Sequence, residues 1–241
     1  MPRLARFVVP GIALHVVQRG HNRSACFHHD TDRLVYIVSL GNLLPRCGCA
    51  LHAYCLMTNH VHLLLTPADE RSCATLMRNL GQRYAQYFNR RYGRRGSLWE
   101  GRFYSCLVDS ATYVRGCYRY IERNPVRANM VERPDGHAWS SYAGNSGQAV
   151  DKLLTAHAEY LALGLDDRSR HRAYQEMLSE VEEPGFLVAI REATNGGVPL
   201  VGEALKAKLQ VDSGRRIEHR KPGPRSSEDC DVDDLTLDLD M

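Results

Sequence analysis

The order in which strand-like and helix-like segments follow one another constrains this chain more than any single residue does. Residues 12 to 18 (IALHVVQ), 51 to 57 (LHAYCLM) and 60 to 66 (HVHLLLT) have strand composition. Between the first two, Asp30 to Leu44 carries Leu34, Ile37, Val38 and Leu40 at helical spacing. A second helix is predicted from Ser72 to about Tyr92, with Leu76, Leu80, Tyr84, Tyr87 and Phe88 along one side. Phe103 to Val108 reads as a fourth strand, and Ser110 caps a third helix that starts at Ala111. The order β-α-β-β-α-β-α outlines a split βαβ, ferredoxin-like (RRM-like) antiparallel sheet with flanking helices, an α+β fold.

Beyond this core, residues 139 to 150 (WSSYAGNSGQAV) combine Ser, Gly and Asn and read as a linker, and 151 to 210 read as short helices. The expected organisation is a core over 1–140, a helical accessory region over 141–213, a basic arm over 214–227 and an acidic, disordered tail over 228–241. Phe7 to Val17 is apolar and follows Arg3 and Arg6, as a signal peptide would. Pro10, Gly11 and His15 interrupt it, and no small-residue cleavage site follows, so it is read as the first strand of a cytoplasmic protein. No apolar run reaches the roughly 18 residues of a membrane span. The eight cysteines are scattered singly, which argues against a disulfide framework and for reduced thiols.

Charge is unevenly distributed. The formal net charge is +3, but Glu228 to Met241 contains seven acids and no base, which leaves +10 on residues 1–227. Between Arg71 and Arg133 there are thirteen arginines, no lysine and four acids, with Tyr84, Tyr87, Phe88, Tyr92, Trp99, Phe103 and Tyr104 interleaved. Guanidinium groups bind phosphates bidentately and aromatic faces stack on unpaired bases, so the segment suits a nucleic-acid backbone; a solvated arginine-rich helix face has the same composition.

His60-Val61-His62 lies in a run that should be extended, so both imidazoles project from one face. Two such rings on a rigid strand make half of a metal site, although eleven histidines in 241 residues give about half an HxH pair by chance. The helix Ala111 to Arg123 contains Tyr113, Tyr118 and Tyr120 and runs into Asn124-Pro125. Tyr120 and Asn124 stand four residues apart and share a face if the helical turn reaches Asn124. Asn124 could equally be the N-cap of a following helix with Pro125 at its first position, and Tyr120 a core residue.

Three ordered stretches, HAYCLMTNHVHLLLTP (52 to 67), GSLWEGRF (96 to 103) and YRYIERNPVRANMV (118 to 131), resemble the REP-associated tyrosine transposases of the single-tyrosine HUH superfamily. The resemblance extends over most of residues 5 to 145. It implies an HUH endonuclease core in which Tyr120 is the nucleophile and His60 and His62 hold a divalent cation, Mg or Mn. Asn124 takes the place of the third, amide-type ligand, which is a glutamine in other single-tyrosine transposases. The activity implied is cleavage and rejoining of single-stranded or hairpin repeat DNA through a 5'-phosphotyrosine, without a nucleotide cofactor; the chain has no GxxxxGK[ST] loop.

Contacts to DNA are expected from Trp99 and Arg90, Arg91, Arg94, Arg95 and Arg102. Arg19 to Arg23 (RGHNR) also match the family and either clamp a phosphate or close a turn. Residues 184 to 227 resemble an extra C-terminal region found in a subset of these transposases, where Gly196-Gly197 fits a helix-turn-helix or a plain helical hairpin. Arg215, Arg216 and Arg220 of the basic arm could enter a minor groove, and the acidic tail could compete with DNA for them. Rival readings are a replication initiator or relaxase of the same superfamily, and a repeat-DNA-binding protein that does not cut. A zinc site at Cys47, Cys49, His52 and Cys55 fits poorly with the usual ligand spacing, and His28 and His29 are expected to face solvent. The sequence leaves monomer and homodimer open.

Overall fold

Alternation along the strands decides which side of the sheet each residue serves. In a computed structural model that describes residues 6–180, 184–214 and 217, β1 (Ala13–Arg19) sends Leu14 and Val16 to one face and Ala13, His15, Val17 and Arg19 to the other. It pairs antiparallel with β3 (His60–Pro67) and β4 (Tyr104–Val108), while β2 (Cys49–Leu56) covers the other edge of β3. The order β2-β3-β1-β4 is that of the split βαβ, ferredoxin-like sheet.

The first face is closed by α1 (Asp30–Leu43) and α2 (Ser72–Tyr92), with Leu14, Val16, Leu63, Leu65, Leu76, Leu80, Tyr84 and Phe88 in one core cluster. The α1 helix forms where its spacing predicts, and of its four spaced apolar residues Ile37 and Leu40 pack on the core while Leu34 and Val38 do not. Leu34 and Val38 are 52% and 61% exposed, whereas Asp32, Tyr36, Leu40 and Leu43 are buried. The buried Asp32 carboxylate accepts from the His28 and His29 backbone N–H groups and from the Tyr87 and Tyr92 hydroxyls, at 2.7–3.0 Å. A buried acid so fully paired replaces an apolar contact at little cost. At the far end of α2, Gly93 takes φ +62° and its N–H bonds to Asn89, the left-handed stop that glycine favours.

The second face meets α3 (Ala111–Glu122), which a break at Arg123 separates from the short α4 (Asn124–Arg127). Residues 139–150, expected as a linker, instead pack on this side. Ser141 Oγ accepts from the Tyr54 N–H on β2, and α5 (Tyr142–Asn145) follows. The Ser and Asn residues that suggested a flexible segment serve buried polar groups. Next come α6 (Ala158–Leu161) and α7 (Asp167–Ser179), whose Tyr174 packs with Tyr118 and Tyr160.

A helix of the C-terminal region, α8 (Pro184–Gly196), completes the layer by lying against β4, β1 and α3. The approach is close: a Cβ on Gly116 of α3 would sit 2.1 Å from the Phe186 ring. Between α8 and α9 (Glu203–Ser213) the chain pairs Leu200 with Val108 at the β4 edge. No helix among the described residues is long and apolar enough to cross a membrane, and the seven described cysteines are all free. Residues 215, 216 and 218–241, with most of the basic arm and the whole acidic tail, lie outside the described residues.

Candidate active site

The two histidines of the HxH pair share the face of β3 that looks towards α3, because Val61 between them goes to the opposite core cluster. Register places His60 opposite Arg19 and His62 opposite Val17 on β1. His60 Nδ1 donates to Asn59 Oδ1 at 2.6 Å, leaving Nε2 with the lone pair. The two rings stand with centroids 4.8 Å apart and nearly perpendicular. Behind them, on the central strand, His15 lies in the plane of His62, with Nε2 of one ring 3.0 Å from Nδ1 of the other.

The opposite wall comes from the end of α3. Tyr120 turns its ring edge to both His15 and His62, with centroids 5.5 and 5.6 Å away, and is 7% exposed. The break at Arg123 makes that residue, rather than Asn124, the N-cap of α4, so Asn124 is the first helical residue and its side chain is not spent on capping. Its amide Nδ2 lies 2.8 Å from His62 Nε2. Arg127, one turn further, places its guanidinium 4.5 Å over the Tyr120 ring and donates to the Tyr120 carbonyl oxygen. Tyr120, His60, His62 and Asn124 therefore line one pocket with His15, Arg19, Arg127, Arg191 and Asn195. Tyr113 and Tyr118 do not: Tyr113 stacks on Phe186, and Tyr118 is buried against Tyr160 and Tyr174.

Electrostatics keep the imidazoles neutral. Burial, assisted by the Arg19 charge, pushes His60 down to about 3, and burial with the Arg127 charge does the same to His15. His62 is held well below the ordinary histidine range by burial, then by its histidine neighbours and the two arginines. Neutral rings with lone pairs turned into a pocket, beside cationic guanidinium groups, suit an anionic substrate and a cation held between them.

The other expected contacts are distributed differently. Arg23 ends a one-turn 3-10 segment, His21–Arg23, and is exposed. Arg90 and Arg91 close α2, with Arg91 Nε 3.5 Å from Asp32, and Arg94, Arg95 and Arg102 are exposed on the loop that follows. That loop runs beside the pocket end of β1, since His21 N–H bonds to the Leu98 carbonyl and Glu100 N–H to that of Arg19. Trp99 differs from its expected role. It is 7% exposed, its indole N–H donates to the Gly81 carbonyl at 3.0 Å, and it packs against Tyr36 and Tyr84, so it is a core residue with no face to offer a base. Arg215, Arg216 and Arg220 lie outside the described residues. No cluster of three or more His, Cys, Asp or Glu residues suited to a metal occurs among the described residues, and His52 bonds to the Thr155 carbonyl and Thr66 Oγ1. His28 and His29 are exposed.

Sequence reasoning missed His15, Arg127, Arg191 and Thr194. The signal for His15 was present, since it alternates with Val17 and Arg19 in β1. Arg191, Thr194 and Asn195 occupy one side of α8, which sequence spacing alone does not connect to the strand that carries His62.

The pocket thus joins an HxH pair on a ferredoxin-like sheet to a helix-borne tyrosine. The family model described as IS200-like transposase matches residues 8–124. Over this segment the chain is similar to the IS200-like transposases. The solved structure described as a REP-associated tyrosine transposase bound to a REP hairpin is similar in fold, with a TM-score of 0.52 at 16% identity over 66% of this chain and 93% of that one. A crystal structure from Deinococcus radiodurans R1, described as that of a candidate transposase, aligns at 18% identity over 47% of this chain and 92% of that one, with a TM-score of 0.36. No curated protein matches the chain.

Proposed function

We propose that this transposase cleaves and rejoins single-stranded or hairpin DNA from repeat ends through a covalent phosphotyrosine at Tyr120. The observation that carries the reading is the convergence of Tyr120, His60, His62 and Asn124, from elements about sixty residues apart, on one pocket edged by Arg19, Arg127 and Arg191. Arg191 Nε is buried without a hydrogen-bond partner among the described residues, a donor left for an incoming phosphate. The similarity in fold to a protein described with a REP hairpin supports a folded single strand as the substrate.

In this reading Tyr120 Oη forms a bond to the scissile phosphorus while the bond to the 3' oxygen breaks. The phenol proton passes to water and the departing oxygen takes one up as a free 3'-hydroxyl, leaving the 5' end on the tyrosine. The Arg127 guanidinium, 4.5 Å over the Tyr120 ring, puts positive charge beside the attacking group. Arg19 and Arg191 orient the phosphate, and the exposed Arg94, Arg95 and Arg102 follow the backbone beyond it. The donor set fits a divalent cation, with Nε2 of His60 and His62 both carrying lone pairs and the Asn124 amide within reach. Mg or Mn held by these residues would supply polarisation of the phosphate and charge neutralisation in the transition state. Residues 1–140 supply Tyr120, His60, His62 and Asn124, and 141–213 form an accessory region that adds Arg191 to the pocket.

The test is incubation of labelled hairpin oligonucleotides with wild type and Tyr120→Phe in Mg or Mn, resolved on denaturing gels. A metal-dependent covalent adduct that disappears in the Phe variant is expected. Tight binding without an adduct would favour a repeat-binding protein that does not cut.

A further inference from the structure

Behind His62 runs a chain of hydrogen bonds whose direction is set at one backbone carbonyl in α8. Thr194 Oγ1 lies 2.8 Å from the carbonyl oxygen of Ile190, one turn back on that helix. A carbonyl only accepts, so the hydroxyl proton is committed to it and the remaining Thr194 lone pairs accept. His15 Nδ1 is 2.8 Å from the same oxygen and Cys106 Sγ is 3.2 Å away. Both must then donate.

A neutral His15 protonated at Nδ1 presents a lone pair at Nε2, 3.0 Å from His62 Nδ1. His62 Nδ1 is therefore the donor there, and its lone pair sits on Nε2, at the pocket wall beside Asn124. Thr194, His15 and His62 are 2%, 1% and 3% exposed, so water offers no competing partners.

We propose that Thr194, acting through His15, is a positioning residue that fixes His62 as the Nδ1–H tautomer with Nε2 aimed into the pocket. The inference deepens the reading above, in which His62 uses that lone pair to hold a cation; the tautomer itself does not depend on cleavage. An imidazole whose second nitrogen donates to a fixed acceptor is held in orientation and made a better ligand. Thr194 also lies outside the 8–124 segment that matches the family model. The site of this chain is thus completed by its C-terminal region, which has a direct route into the chemistry.

The experiment uses the full chain, uniformly labelled with nitrogen-15 and free of metal. Long-range proton–nitrogen NMR correlations assign the tautomer of each imidazole. Wild type is expected to show His15 and His62 both protonated at Nδ1. In Thr194→Val, nearly isosteric but unable to accept, His62 is expected to divide between tautomers, and Thr194→Ser should restore the wild-type pattern. Mn binding, followed by the spectrum of the free ion, should weaken about 10-fold or more in the Val variant and recover with Ser. Should Thr194→Val fail to fold, His15→Phe cuts the same chain at its middle, with the same expected loss. His62 protonated at Nε2 in wild type, or tautomers and Mn affinity unchanged in the folded variants, overturns the proposal. Wild-type tautomers as stated in a protein that forms no Tyr120 adduct would support it while contradicting the cleavage reading.

Discussion

Glu122 is fully buried two residues from Tyr120, where Ser141 Oγ and Asn145 Nδ2 donate to one carboxylate oxygen at 2.5 and 2.8 Å and the Tyr174 hydroxyl to the other at 2.6 Å. Burial, reinforced by Asp151, outweighs these donors and raises the carboxyl to about 7 from an ordinary value of 4.5. A carboxyl raised in the folded state binds its proton more tightly there than in the unfolded chain. Its contribution is therefore complete below about pH 4.5 and declines as pH rises through 7. Glu122→Gln keeps the shape and removes the titration. The stability difference between variant and wild type should move by about 2–3 kcal/mol in favour of Gln between pH 5 and 8, read from urea unfolding at each pH. A difference constant with pH would show that Glu122 does not ionise in this range. None of this was legible in the sequence, where ERNP reads as the polar end of a helix; the partners of Glu122 come from a segment whose Ser and Asn composition resembles a linker.

At the scale of elements, the sequence placed all four strands and the first three helices, α1 to α3, within a residue or two, because each buries one face against the sheet. In α1 it did not show that Asp32 is buried while Leu34 and Val38 are exposed, since a buried Asp32 network is a tertiary feature with no periodic signature. Arginine number was likewise readable and arginine placement was not. Trp99 sits in the same run but belongs to the core, while Arg94 and Arg95 stay on the surface at the pocket end of β1. If that loop follows the DNA backbone, Arg94→Gln combined with Arg95→Gln lowers single-strand affinity. It also flattens the slope of log affinity against log salt by about 0.7 for each phosphate that is no longer neutralised. Fluorescence anisotropy over a salt series checks this; an unchanged slope would place the DNA elsewhere.

Across the whole molecule, the sheet brings the HxH pair, the tyrosine helix and a C-terminal helix to one end. The first two could be located by motif, because HxH alternation and the Tyr-to-Asn spacing are local. The third, α8, could not, because its pocket side depends on how two distant elements pack at Gly116 and Phe186. Residues His60, His62, Tyr120 and Asn124 were expected together from the motifs; what the sequence did not specify is the break at Arg123 that leaves Asn124 turned towards His62. The central claim, that Tyr120 takes the 5' end of a cut strand, is tested most directly by digesting the protein after reaction with a hairpin oligonucleotide and locating the nucleotide-bearing peptide by mass spectrometry. The account predicts the added mass on Tyr120 alone. A modified Tyr113 or Tyr118, or cleaved DNA with no modified peptide, would contradict it.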